Sequence, residues 1–301
     1  MKQIAFLIFF IVVTSTANSQ SGQVTLRLQQ FRSDFTSSML TGDIGFSTYM
    51  DMSVRLMPEF SMTVLTQTNA VKYYEAFHAA FDVTTFARTS SEILDMGGYV
   101  NDWGTFTMRV THRASNKSYD LPGKYMDLWK EDANGKLYIV CQAWNYSQRI
   151  DFSEQLKFPG VPIRNVALAA HSIIKDPTSF QLAGYNEVME STIIQHDARL
   201  WKMFYADDSN FLYSNHPAIL GRRAIDEFFD EHVRGLSVFE KLDIRNDEII
   251  DLGAYVIEYA SHTAFVRDGS WSGTGTGKDL RIWRRGSDCS LKIFRHIAMY
   301  D

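Results

Sequence analysis

The chain repeats itself. Tyr49-Met50-Asp51-Met52-Ser53 has a counterpart in Tyr205-Ala206-Asp207-Asp208-Ser209. Glu92-Ile93-Leu94-Asp95-Met96-Gly97-Gly98-Tyr99-Val100 is answered by Glu248-Ile249-Ile250-Asp251-Leu252-Gly253-Ala254-Tyr255-Val256. After a short length change, Gly123-Lys124-Tyr125-Met126-Asp127-Leu128-Trp129-Lys130 matches Gly277-Lys278-Asp279-Leu280-Arg281-Ile282-Trp283-Arg284, and Leu137-Tyr138-Ile139 matches Leu291-Lys292-Ile293. Matches in one order at a nearly constant shift mean that one fold unit of roughly a hundred residues occurs twice. The duplication fixes the architecture but names no substrate.

Each unit opens with a helical pattern, over residues 23–46 and 186–205. In the second, Val188, Ile193, Leu200, Trp201 and Phe204 keep to one broad apolar face. A short strand follows, then a second helix over 70–81 and 224–233. The remainder reads as strands, with meanders over 100–110, 123–130 and 137–145, and again over 255–266, 277–285 and 290–299. Asn134-Gly135 and Gly286-Ser287-Asp288 suit the hairpins between them. Ahead of the units, residues 1–19 form a secretory signal: Lys2, an apolar run over 4–13, then the small residues Ala17-Asn18-Ser19. Such a run is too short to span a bilayer. The expected organisation is signal 1–19, first repeat 20–151, connecting segment 152–184 with one helix near 165–174, and second repeat 185–301. The mature protein is expected to be exported, either periplasmic or secreted after cleavage near Ser19, with no membrane partner.

Losing Lys2 with the signal would take the formal charge from -5 to -6, and Lys and Arg form no basic stripe, so nucleic acid is not an expected partner. Hydrophobic residues at 45% and aromatics at 14% let each unit build a core without cross-links. Cys141 and Cys289 occupy non-equivalent places in the repeats, and nothing in their spacing asks for a disulfide. No histidine pair has helical metal-ligand spacing and no Cys-x-x-Cys occurs, so neither metal nor cofactor is expected. Gly273-Thr274-Gly275-Thr276-Gly277-Lys278 imitates a phosphate loop, but Ser272 and Asp279 stand where glycine and Ser or Thr are needed. It reads as a flexible hairpin connection.

Taken in order, the opening helix, Tyr205-Ala206-Asp207-Asp208-Ser209, Gly221-Arg222-Arg223-Ala224-Ile225, Asp251-Leu252-Gly253, Gly277-Lys278, Ile282-Trp283-Arg284-Arg285 and the closing strand resemble the nuclear-transport-factor-2-like (NTF2-like) superfamily. The likeness is to its SnoaL-like and uncharacterised small-domain bacterial members. The first half is a looser copy that keeps only Asn69-Ala70-Val71 of the Gly-x-x-Ala-Ile turn. The resemblance implies an α+β chain of two cone-shaped units, each a curved antiparallel sheet wrapped around helices with a pocket at the open end. It further implies that the two units pack as an internal pseudo-dimer or that copies associate through sheet faces. It implies little chemistry, because the superfamily hosts isomerases, cyclases, dehydratases and non-enzymatic binding domains.

Candidate residues come from pairing the strands. If Arg285 faces Ser290, then Trp283 faces Lys292, Arg281 faces Phe294 and Asp279 faces His296; a similar hairpin sets His262 against Asp279. His262, Asp279 and His296 would then form one row able to orient an imidazole as a general base or to hold a metal, or else a polar network at a domain contact. Phe106, Tyr125 and Gln142 fill the same places in the first repeat. The opposite face carries Tyr259, Ser261, Leu280, Ile282, Leu291, Ile293 and Arg295, with Asn101, Trp103, Thr105, Met126, Leu128 and Cys141 in the first repeat. It is expected to be the pocket wall, with Tyr259, Ser261, Arg295 and Trp103 as ligand-binding residues. Phe106, Tyr125, Trp129, Tyr138, Val140 and Trp144 are expected on a partner surface, with Asp127 and Arg281 as an unlike pair across the halves. His196 and Asp197 are further polar candidates beside the pocket, Asp197 where the resemblance implies a structural role.

The favoured function is non-catalytic binding of a small, partly hydrophobic molecule in one pocket of the second repeat. The alternatives are an isomerase-, cyclase- or dehydratase-type enzyme with a pocket acid-base residue, and an interaction or scaffold protein.

Overall fold

The computed structural model describes residue 22 and residues 24–301; the expected signal over 1–19 lies outside them. The first unit begins with helix α1 (residues 24–41), on which Leu28, Phe31, Phe35 and Met39 recur at helical spacing and are buried. After a 3-10 turn, Gly45–Tyr49, come β1 (Met50–Pro58), β2 (Val64–Leu65), α2 (Gln67–Ala80), β3 (Phe81–Asp95), β4 (Tyr99–His112), β5 (Lys117–Glu131) and β6 (Leu137–Tyr146). The second unit runs α3 (Pro177–Ile194), α4 (Ala198–Trp201), β7 (Tyr205–Leu212), β8 (Ile219–Leu220), α5 (Gly221–His232), β9 (Val238–Asp251), β10 (Tyr255–Asp268), β11 (Trp271–Arg285) and β12 (Leu291–Tyr300). No described helix is long and apolar enough to cross a membrane.

Each unit holds one six-stranded sheet. The orders, β2-β1-β6-β5-β4-β3 and β8-β7-β12-β11-β10-β9, are the same topology twice. β1 with β6 and β7 with β12 run parallel, and the other pairs are antiparallel. The repeated Asp-x-Gly has a local cause. The carboxylates of Asp95 and Asp251 accept the N–H of Gly97 at 2.9 Å and of Gly253 at 2.8 Å, and both glycines are left-handed, at φ 78 and 79. The closing hairpins repeat a bulge: Leu128 faces Cys141 but Trp129 faces Ile139, and Ile282 faces Arg295 but Trp283 faces Ile293. Val140 and Phe294 are the extra residues.

Inside the first sheet, Phe31 and Phe35 of α1 and Tyr74 of α2 pack on Phe106, Tyr125 and Trp129. Phe31 meets Trp129 edge-on at 5.0 Å. Apart from Tyr138, whose ring has the Lys136 ammonium 4.6 Å from its centre, the aromatic face expected to meet a partner is therefore the interior of its own cone, because a sheet curved around helices has its concave face covered by them. Val140, as the bulged residue, packs instead on the cluster between the units. Asp127 and Arg281 likewise stay inside their own units. Asp127 pairs with Arg88, and Arg281 lies 3.4 Å from Glu258 and 3.3 Å from Asp279.

The units meet through their convex faces. Met57, Trp103, Met126, Leu128 and Cys141 pack with Ile257, Tyr259, Leu280, Ile282, Ile297 and Met299 in one buried cluster. Each fully buried aliphatic side chain of that kind contributes about 1.5–3 kcal/mol. Around it, the two halves exchange matching bonds. The Phe60 N–H donates to the Tyr300 carbonyl and the Asn215 N–H to the Tyr146 carbonyl, both at 2.9 Å and both from left-handed residues, φ 63 and 62. Buried Lys278 donates to the Ser61 carbonyl at 2.6 Å, and buried Lys124 to the carbonyls of Tyr213, at 2.9 Å, and His216.

Between the units the expected helix over 165–174 is only a 3-10 turn, Val166–Leu168, capped by Asn165. Helix α3 starts nine residues ahead of the expected 186 because Asp176 and Ser179 form a reciprocal cap and Pro177 sits in the first turn, and it ends at Ile194 instead of running to 205, with left-handed His196, φ 55, separating it from α4. The glycine-rich stretch from Gly273 is part of β11, not a hairpin connection. Cys141 and Cys289 are both free, the first buried and the second exposed.

Candidate functional site

The two cones differ in what fills them. In the first, Phe35, Tyr73, Tyr74, Phe77, Phe106 and Trp144 close in until a space of only about 50 Å³ remains. In the second, a cavity of about 350 Å³ lies between α3, α4, β7, α5 and the concave faces of β9 to β12. Its wall is mainly apolar, with Met189, Ile193, Trp201, Phe211 and Phe239, and its polar end is built from β10, β11 and β12.

That polar end is His262, Asp279 and His296, brought together by a register different from the expected one. His262 faces Gly277, Asp279 faces Ala298, and His296 faces Arg281. On both sides of Asp279 the pairing is displaced by two residues, a shift that keeps every side chain on its face. The three groups consequently meet diagonally. His296 Nε2 lies 2.7 Å from Asp279 Oδ1, and His262 Nδ1 lies 3.4 Å from Oδ2. The Phe294 bulge supplies part of that displacement.

Protonation follows from the partners. Burial alone would raise the Asp279 pKa, but the Arg281 guanidinium, then the hydrogen bonds from His262 and His296, hold its carboxyl well below the usual carboxylate range. Burial lowers the His296 pKa against the opposing pull of Asp279, so the ring is neutral. Its Nε2–H donates to Asp279, and its Nδ1 accepts from the Tyr205 hydroxyl at 2.8 Å, a phenol whose pKa burial raises well above the ordinary value. With Asp279 ionised, His262 presents Nδ1–H to it; among the described residues none hydrogen-bonds His262 Nε2, and the ring lines the cavity.

A glycine permits this placement. A Cβ on Gly277 would stand 2.5 Å from His262 Cε1 and 2.6 Å from Nε2, so the imidazole lies across a bare backbone. The first unit uses the same device: a Cβ on Gly123 would stand 2.5 Å from Phe106 Cε1. Equivalent glycines thus carry a phenyl ring in the filled cone and an imidazole in the hollow one. Further in, Glu258 accepts from Trp283 Nε1 at 2.7 Å and Asn186 Nδ2 at 3.2 Å, and Asn186 Oδ1 accepts from Arg281 at 3.1 Å. The described residues contain no group of three or more His, Cys, Asp or Glu arranged to hold a metal ion.

The residues expected to line a pocket do something else. Trp103 Nε1 donates to Glu92 at 2.8 Å, and Arg295 donates to the same carboxylate at 2.5 and 2.6 Å, so both serve one network between the units. Tyr259 is buried in the inter-unit cluster, with the Arg55 guanidinium 4.0 Å from its ring centre, and Ser261 donates to Asp247 at 2.7 Å. The expected faces are therefore reversed, except at Leu291 and Ile293, which lie before the Phe294 bulge and belong to the inner core of the second unit. Periodicity separates two faces, and only packing decides which one curves inward. Asp197 caps α4 through the Leu200 N–H at 2.9 Å, and His196 Nε2 lies 3.2 Å from the Ser237 carbonyl. Sequence reasoning missed Tyr205, Tyr213 and Tyr300 of the cavity wall. For Tyr205 a signal existed, since Tyr49 is its repeat and also gives its hydroxyl to an internal partner, Asp34, at 2.6 Å.

Fold and site together define a tandem of two α+β units of one topology, one filled and one hollow. No family model matches the sequence, and no curated protein matches it. Solved structures similar to the chain include a conserved protein from Planctomyces limnophilus, with 15% identity over 41% of this chain and 94% of that one at a TM-score of 0.36. A ketosteroid isomerase-like protein from Erwinia carotovora atroseptica shares 13% identity over 40% of this chain and 91% of its own, TM-score 0.34. ActVI-ORFA from Streptomyces coelicolor shares 13% over 41% and 98%, TM-score 0.34.

Proposed function

We propose that the protein binds a small, partly hydrophobic molecule in the second unit and that His262, oriented by Asp279, exchanges a proton with it. The observation that carries this reading is the exchange of Phe106 for His262 over equivalent glycines, together with a cavity of about 350 Å³ in place of about 50 Å³. A scaffold needs only the filled form. A cavity mostly walled by apolar groups, with a few convergent polar groups at one end, suits a ligand, and an imidazole with one nitrogen on a carboxylate and the other free suits general acid-base work. The enzymatic form of the proposal is an isomerase- or dehydratase-type proton transfer. Export, with cleavage near Ser19, belongs to the same proposal and rests on the Lys2, apolar-run and small-residue pattern. The mass of the protein isolated from its host checks it, with chains starting at Gln20 expected.

Two measurements test the site. Indole should raise the melting temperature of the wild type but not of His262→Phe, which copies the filled unit; equal shifts would remove the cavity from the function. For proton transfer, α-proton exchange of 2-tetralone in D₂O, followed by NMR, should be at least about a hundredfold faster with the wild type than with His262→Gln. Equal rates would reduce the site to binding alone.

A further inference from the structure

We infer that the hollow cone selects uncharged molecules and rejects their anionic counterparts. The inference rests on the binding reading above and adds the chemical class of ligand. The permanently charged side chains lining the cavity are Asp279 and Arg281. Arg281 is already engaged: one guanidinium nitrogen serves Asn186 and Glu258 at 3.1 and 3.4 Å, the other lies 3.3 Å from Asp279, and Nε is buried without a partner. One guanidinium is thus shared by two buried carboxylates, Glu258 and Asp279.

The neighbouring cations point elsewhere. Lys278 turns its ammonium to the Ser61 carbonyl and Asp301, and Arg295 turns to Glu92. A ligand carboxylate entering this cavity would lose its water, gain no free cation and come to rest beside the ionised Asp279. A neutral molecule bearing a hydroxyl gives up far less hydration and meets no like charge at Asp279. Its O–H can donate to His262 Nε2 while its ring lies against Trp201, Phe211 and Phe239. Selection of this kind works by an unfavourable pairing built against the wrong ligand.

The test compares molecules of one skeleton at pH 7, using 2-naphthol and 2-naphthoate with calorimetric titration of the full chain. The naphthol should bind at least about tenfold more tightly. Replacing His262 with lysine, His262→Lys, places an ammonium at that end of the cavity and should narrow or invert the gap. Naphthoate binding as tightly as naphthol, or a gap untouched by His262→Lys, would overturn the charge selection and leave the binding site standing. Failure of both compounds, and of phenol and benzoate as smaller partners of the same pair, would overturn the binding reading itself.

Discussion

A single atom separates the places of Gly277 and of any other residue. The Cβ that alanine would add meets not only the His262 ring but also the Met299 carbonyl at 2.8 Å, which belongs to the backbone and cannot swing aside. Gly277→Ala should therefore cost about 1–3 kcal/mol, read from urea unfolding, and should displace His262 from Asp279. Wild-type stability with an unmoved imidazole resonance would show that the contact yields. His232, also on the cavity wall, offers a pH test. Burial, helped by His216, depresses its pKa from 6.5 to about 4. The unfolded chain takes up a proton below about 6.5 and the native one refuses it, so this contribution is full above 6.5 and is lost as pH falls toward about 4. His296 acts with the same sign. His232→Phe should flatten the decline in unfolding free energy between pH 7 and pH 4; an unchanged slope would assign the acid sensitivity elsewhere. At this scale the sequence was informative about grouping. His262, Asp279 and His296 could be named together because alternate residues of neighbouring strands share a face. Their true contacts could not, because a bulge at Phe294 leaves no mark in composition.

Among the elements, those with a strong local signal were legible and those set by a cap were displaced. The meanders of both units lie where alternation put them, save that β5 and β11 each begin six residues early, at Lys117 and Trp271, and α2 and α5 fall within a few residues of expectation. The helix expected over 186–205 is displaced at both ends. The apolar face read over 188–204 is divided between α3 and α4, with Val188 exposed, whereas Asp176, Pro177 and Ser179 carry the start signal. Asp176→Ala removes the acceptor for the Ser179 N–H, 2.7 Å away, and should lower the urea midpoint without changing the transition slope. A midpoint equal to the wild type would mean that packing against β9 alone starts the helix. The closing hairpins matter most for the site, since their bulges set which residues of β6 and β12 face inward.

On the scale of the whole molecule, one unit covers the other. The second unit alone would expose Ile257, Tyr259, Leu280, Ile282, Ile297 and Met299, and would leave the Lys278 ammonium without the Ser61 carbonyl. Expressed from residue 152 onward, it should aggregate or form dimers through that face, as light scattering after gel filtration would show, while residues 20–301 run as a monomer. A well-behaved monomeric second unit would mean that the pairing contributes little. The sequence by itself determined that the chain is one unit twice and, away from the bulges at Val140 and Phe294, which side chains share a face, because duplication and alternation are local; the curved sheet around helices followed from the family resemblance. Which face turned inward, which cone stayed hollow, and that Arg295, Trp103 and Glu92 would join the halves were decided only by tertiary structure. The two faces of a strand are equivalent until something packs against one of them, and a cavity is the space that side chains distant in sequence fail to fill.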